Sequence, residues 1–216
     1  FADVCHFQAD EEGCLRSLGH LFFSGGLEVK ANSTQFGGLS SLLVSFDAKR
    51  FGSVTDAGML VTGEFDWHMS WLEGLKNGRI GPILGLDGQE LGSRNQPDLP
   101  ELWDAESMAA YNTTHPLHGD LLVSFERQHR VWRYSFGSEG HRAVPSKVPG
   151  LTTQDTDKLS LCPSNGGAEA MELLRDGRIM VLCEHASVAM EARPLADGEP
   201  VTQVMGWVVA ADGSSQ

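Results

Sequence analysis

An all-β fold is predicted, and three observations predict it. A unit of two short apolar runs joined by a polar turn recurs along the chain. Glycine and proline are frequent, 25 and 9 of 216 residues, and many stand between apolar runs. Asp-Gly pairs punctuate the runs at Asp87-Gly88 and Asp176-Gly177, and Asp-Gly between apolar segments is a strong short-range hairpin signal.

The repeat occurs in three copies. Gly37-Gly38-Leu39-Ser40-Ser41-Leu42, Trp103-Asp104-Ala105-Glu106-Ser107-Met108 and Gly166-Gly167-Ala168-Glu169-Ala170-Met171 open the three units. Phe51-Gly52-Ser53-Val54-Thr55-Asp56, Leu121-Leu122-Val123-Ser124-Phe125-Glu126 and Ile179-Met180-Val181-Leu182-Cys183-Glu184 supply the second runs. Ser40, Glu106 and Glu169 share one column, spaced 66 and then 63 residues apart, and Asp56, Glu126 and Glu184 share another. Self-similarity at a long fixed period indicates a repeat architecture. We therefore expect a β-propeller-like repeat of four-stranded antiparallel sheets, partial, with three to four blades. The period exceeds the roughly 40–50 residues of common blades, so long inter-strand loops are expected.

In chain order, residues 1–14 are polar, carry Asp10-Glu11-Glu12 and read as an N-terminal arm. Residues 15–216 read as one propeller domain, truncated at its C-terminus, because the last expected strand, Val201 to Ala210, ends at an Asp212-Gly213 turn. Strand-like pieces fall between Leu15 and Val29, and the first unit runs from Phe36 to about Phe65. Alternate apolar positions from Phe65 to Leu75 predict a strand that buries Trp67 and Trp71, with Trp132 and Trp207 also in the core. Asn77-Gly78 reads as a turn into Arg79-Ile80. Leu121 to Phe125 and Val131 to Phe136 form the best hairpin; residues 137–163 read as loop.

Composition bounds the function. The charged fraction of 21% and apolar fraction of 41% fit a folded globular chain. A net charge of −13 with no basic stripe argues against nucleic acid, which needs clustered Lys and Arg. No run approaches the ~18 apolar residues of a membrane span. Cys5, Cys14, Cys162 and Cys183 form no CxxC motif, which disfavours a zinc knuckle. Cys5 and Cys14 are close enough for a disulfide in an oxidising compartment; buried free thiols are an equal reading. Asn32-Ser33-Thr34 and Asn112-Thr113-Thr114 fit the glycosylation sequon, which also arises by chance. There is no G-x-S-x-G elbow and no P-loop.

The chain resembles the phytase-like family ("esterase-like activity of phytase") of bacterial β-propeller proteins. The resemblance is carried by Phe36-Gly37-Gly38-Leu39-Ser40-Ser41-Leu42, Val54-Thr55-Asp56-Ala57-Gly58, Asp104-Ala105-Glu106, Val123-Ser124-Phe125-Glu126-Arg127-Gln128-His129-Arg130-Val131, and Asn165-Gly166-Gly167-Ala168-Glu169-Ala170 with Asp176-Gly177-Arg178. These occur in the family's order over roughly residues 15–190. Thr55-Asp56-Ala57-Gly58 departs from the family's Ser-Asp-Arg-Gly, and Gly167-Ala168-Glu169 from its Gly-Leu-Glu. The resemblance implies a metal-assisted phosphoesterase or esterase-like hydrolase, periplasmic or secreted, acting on a small-molecule phosphate ester or other anionic ligand.

Repeated acids fit that chemistry. In a propeller, equivalent positions face a central channel, which would gather Asp56, Asp104, Glu106, Glu169 and Glu184 as metal ligands. Hard carboxylate oxygens suit Ca²⁺. Glu126, Arg127, His129 and Arg130 are the candidate catalytic residues, the cations as phosphate contacts. The competing reading makes each acid structural, capping turns or pairing with Arg, and the protein a non-catalytic propeller binding module. A third reading is a lactonase-like hydrolase with Asn165 and Asp104 on one Ca²⁺. His115 and His118, without a third ligand, read as incidental.

Overall fold

The computed structural model describes residues 26–92, 102–111, 117–149, 151, 158–184 and 206–210, and the backbone of 17–18 and 21–22. A small hairpin comes first, from β1 (Ser17–Leu18) and β2 (Leu21–Phe22). Three antiparallel meanders follow. The first sheet is β3 (Leu43–Val44), β4 (Arg50–Val54), β5 (Met59–His68) and β6 (Trp71–Pro82), in that order. The second is β7 (Ala105–Tyr111), β8 (Asp120–Phe125), β9 (Arg130–Tyr134) and β10 (Ser146–Lys147). The third, among the described residues, has β11 (Ala168–Leu173), β12 (Arg178–Cys183) and β13 (Gly206–Ala210). A four-residue helix α1 (Phe136–Glu139) and a 3₁₀ turn (Gly140–Arg142) lie between β9 and β10. The fold is all-β and propeller-like, with each sheet a blade.

The middle blade explains the packing. Along β8 every residue from Leu121 to Phe125 is buried, so the strand reads as an unbroken apolar run rather than an alternation. Its two faces go to different neighbours. Leu121, Val123 and Phe125 join Val54, Leu60 and Ile83 of the first blade in one core. Leu122, with Ala109 and Tyr111, joins Ala168, Met171, Ile179 and Val181 of the third blade in another. Ser124, on that second face and fully buried, donates from Oγ to the Ala168 carbonyl at 2.7 Å. This meets the requirement that a buried hydroxyl find a partner.

The turns share one device. Asp47, Asp87 and Asp176 each accept the backbone N–H two residues on, at 3.1, 3.0 and 3.1 Å. The residue between donor and acceptor is left-handed every time: Ala48 (φ 54°), Gly88 (75°) and Gly177 (85°). Glycine adopts that conformation freely, whereas alanine is strained there.

Several expectations need correcting. Phe65 to Leu75 is a hairpin rather than one strand: β5 and β6 pair as far as His68↔Trp71, with the tip at Met69 and Ser70. The alternation therefore crosses the tip. Its side chains project past the core, leaving Trp67, Met69 and Trp71 38%, 90% and 47% exposed. Trp67 instead donates from Nε1 to the Ala48 carbonyl at 2.7 Å. Asn77-Gly78 is no turn: it lies inside β6, beside a register shift opposite Thr62 and Glu64, and Asn77 absorbs the irregularity at φ 51°. Phe136 begins α1 instead of ending the β9 strand. Cys162 and Cys183 form a disulfide, with Cα atoms 5.7 Å apart. The 1–14 arm, the Cys5–Cys14 pair, the Asn112 sequon, His115 and the Asp212-Gly213 turn lie outside the described residues.

Candidate functional site

Both acidic columns of the sequence occupy equivalent corners of the three blades. The N–H groups of Asp56, Glu126 and Glu184 donate to the carbonyls of Gly38, Asp104 and Gly167 at 3.0, 2.9 and 3.2 Å. Just beyond, Leu39 pairs with Thr55, Ala105 with Phe125 and Ala168 with Cys183. Then each pairing slips by one residue. Ser107 faces Ser124 and Ala170 faces Leu182, two residues advancing against one. In the first blade Leu43 faces Gly52, four against three. Glu106 and Glu169 are the extra residues. A β-bulge re-aims its side chain, and this bulge recurs at the head of each inner strand.

In the second blade the result is a buried acidic trio. Asp104, Glu106 and Glu126 are each less than a tenth exposed. One carboxylate oxygen from each lies within 4.8 Å of the others. Burial is the largest influence on Glu106, followed by the charges of Glu169, Asp104 and Glu126, and its pKa is pushed up to about 8. Glu169 is pushed up to about 7, again by burial first and then by Glu184 and Glu126. Glu126 is also raised by burial, with the Gly167 and Gly166 amides opposing the shift.

Among the described residues, Arg127 is the cation in ion-pair contact with the trio. Its Nε lies 2.5 Å from Asp104 Oδ2, and Nη2 lies 3.9 Å from Glu126 Oε1. The same Nη2 donates to Asn165 Oδ1 at 2.8 Å. The backbone is left-handed at Arg127 (φ 57°), and its N–H bonds to the Ser164 carbonyl at 3.0 Å. The trio is thus tied to the segment that enters β11. Glu126 Oε2 accepts N–H bonds from Gly166 at 2.7 Å and Gly167 at 3.2 Å. Gly167 has to be glycine: a Cβ there would stand 2.5 Å from Glu126 Cβ. The Cys162–Cys183 disulfide fastens the start of this segment to the end of β12.

The remaining candidates are placed differently. Glu169 borders the trio through Glu106, and exposed Glu184 acts on Glu169. Asp56 holds the corresponding corner of the first blade against Gly38, outside the trio. His129 packs beneath Gly167, and its buried Nδ1 makes no hydrogen bond among the described residues. Burial lowers its pKa, with the Cys162, Pro163 and Phe125 carbonyls opposing. Arg130 turns away from the acids. Its guanidinium lies 3.9 Å from the Phe125 ring centre and 4.4 Å from that of Trp132, and it donates to the Gln128 and Leu102 carbonyls. Burial lowers its pKa to about 10.

Sequence reasoning gave no role to the Gly166 and Gly167 amides or to the disulfide, and weighed Asn165 only as a ligand. The paired glycines after Asn165 were the available signal for a close backbone approach.

The donor set fits a hard dication: three buried carboxylates, oxygen ligands only, in mutual reach and with one guanidinium against them. No curated protein matches the chain. A family model described as phytase-like, "esterase-like activity of phytase", matches residues 34–215, most of the chain. The chain belongs to the phytase-like family.

Proposed function

We propose that this chain is a calcium-assisted phosphoric ester hydrolase acting in an oxidising compartment outside the cytoplasm. Family membership points to esterase-like hydrolysis. The observation that carries the finer reading is the buried trio, where burial first and the neighbouring acids second push Glu106 up to about 8. Asp104, Glu106 and Glu126 would hold the cation, with Glu169 and Glu184 beside them and Asp56 on the first blade. A cation held there would offset the charge of these acids, attract an anionic ester and polarise its phosphorus.

The chain's own groups do the rest. Arg127 pairs with the Asp104 carboxylate, Nε to Oδ2 at 2.5 Å, and so fixes its position. The Gly166 and Gly167 amides fix the Glu126 carboxylate. Glu169, half-buried beside Glu106, is the carboxylate placed to take a proton from an attacking water. His129 and Arg130 act through position, His129 under Gly167 and Arg130 on the aromatic pair. The disulfide supports the oxidising compartment.

The binding-module reading has its own support. One oxygen of Glu126 serves backbone amides, and Asp104 serves Arg127. Hydrolysis of a chromogenic phosphomonoester separates the two. The proposal expects turnover that needs Ca²⁺, stops with chelator and falls roughly a hundredfold or more in Glu106→Gln. A folded chain that binds Ca²⁺ without turning over any phosphate ester is a binding module.

A further inference from the structure

Two groups of the acidic site contact Asn165-Gly166, one at the side chain and one at the following amide. Arg127 Nη2 donates to the carboxamide oxygen of Asn165 at 2.8 Å. Glu126 Oε2 accepts the N–H of Gly166 at 2.7 Å. The next residue has no side chain to shield its nitrogen, and its φ of 154° is one that glycine adopts readily. Asn165 itself is exposed, so water reaches it.

We infer that Asn165-Gly166 is a self-modification site, at which the folded chain promotes its own conversion of Asn165 to an acid. The Gly166 nitrogen attacks Asn165 Cγ, forming the C–N bond of a five-membered succinimide. Its proton passes to Glu126 Oε2. Arg127 stabilises the oxyanion that develops on Oδ1, as a preorganised donor does in acyl transfer. The C–NH₂ bond then breaks, and the amide leaves as ammonia with the proton returned from Glu126. Water opens the ring at either carbonyl, giving aspartate or isoaspartate. No oxidant, reductant or cofactor takes part.

The product changes the site. A carboxylate at position 165 faces Arg127, which already bridges toward Asp104 at 2.5 Å. It competes for the guanidinium and adds a hard oxygen ligand beside the trio. The inference stands apart from the hydrolase reading, because the modification needs neither a metal nor an ester.

The chain carries an internal control. Asn77-Gly78 has the same dipeptide, but it lies within β6, and Asn77 Nδ2 donates to Glu64 Oε2 at 2.9 Å. No described contact polarises its carboxamide oxygen.

The test is peptide mapping of the full chain aged at neutral pH, following amide-to-acid conversion at both asparagines, folded and in denaturant. The folded chain is expected to convert Asn165 several-fold faster than Asn77, and faster than denatured chain converts Asn165. Glu126→Gln and Arg127→Gln, each checked for folding by circular dichroism, are expected to remove that excess. If either variant unfolds, the folded-to-denatured ratio of the parent chain still decides. Conversion of Asn165 that is slower in the folded chain than in denaturant would mean that the two hydrogen bonds protect the amide, and would overturn the inference.

Discussion

Ala48 shows most simply how one residue can be weighed. It occupies the left-handed position that glycine fills in the sister turns at Gly88 and Gly177. Left-handed backbone costs an L-residue roughly 1–2 kcal/mol. Ala48→Gly is expected to stabilise the chain by about 1 kcal/mol, net of the greater unfolded-state freedom of glycine. Urea unfolding would show it as a higher midpoint at unchanged slope. Gly167 gives the opposite case, since any side chain there strikes Glu126. Gly167→Ala is expected to disturb the acidic trio before it disturbs the fold. The turn aspartates were legible in the sequence because Asp-Gly carries its own conformational reason. The strained alanine in the third copy was not, because nothing in Asp47-Ala48 requires a left-handed residue.

At the scale of elements, the two acidic columns were legible because they mark a repeated backbone event. Each corner closes with one N–H to carbonyl bond, and each inner strand then bulges. A bulge needs the same residue count in every copy, so the register survived in the sequence. The β5–β6 hairpin was misread for an equally physical reason. Period-2 alternation continues through a two-residue tip, and Asn77-Gly78 imitates a turn where the strand only bulges. The disulfide escaped notice because Cys162 and Cys183 stand 21 residues apart, on either side of a hairpin. Closing a loop of that length contributes about 3 kcal/mol. The double variant Cys162→Ala, Cys183→Ala is expected to lose about that much in denaturant unfolding, and to loosen the segment that carries Gly166 and Gly167. Leu122, fully buried between the second and third blades, provides a packing test. Leu122→Ala is expected to cost about 2–5 kcal/mol by thermal or chemical melt.

For the whole molecule, the acids couple folding to protons and, on the proposed reading, to a cation. Glu106 at about 8 and Glu169 at about 7 lie above the ordinary carboxyl value of 4.5. The folded chain therefore binds these protons more tightly than the unfolded chain. Their contribution to stability is complete below 4.5 and is lost as pH rises through about 7 and then about 8. The cation-free chain is expected to melt at lower temperature on the alkaline side of neutrality, and Ca²⁺ is expected to reverse the loss. Because ligand carboxylates bind a metal in the deprotonated form, Ca²⁺ affinity should rise over the same pH window.

The central claim is that Asp104, Glu106 and Glu126 form a cation site. Its most direct test is a calorimetric Ca²⁺ titration in two buffers of different ionisation enthalpy, paired with melts with and without Ca²⁺. The account predicts one saturable site, release of protons on binding, a higher melting temperature with Ca²⁺, and loss of all three in Glu106→Gln. A chain shown to be folded that neither takes up Ca²⁺ nor shifts its melt would contradict it, and would leave the trio as a structural clasp between blades.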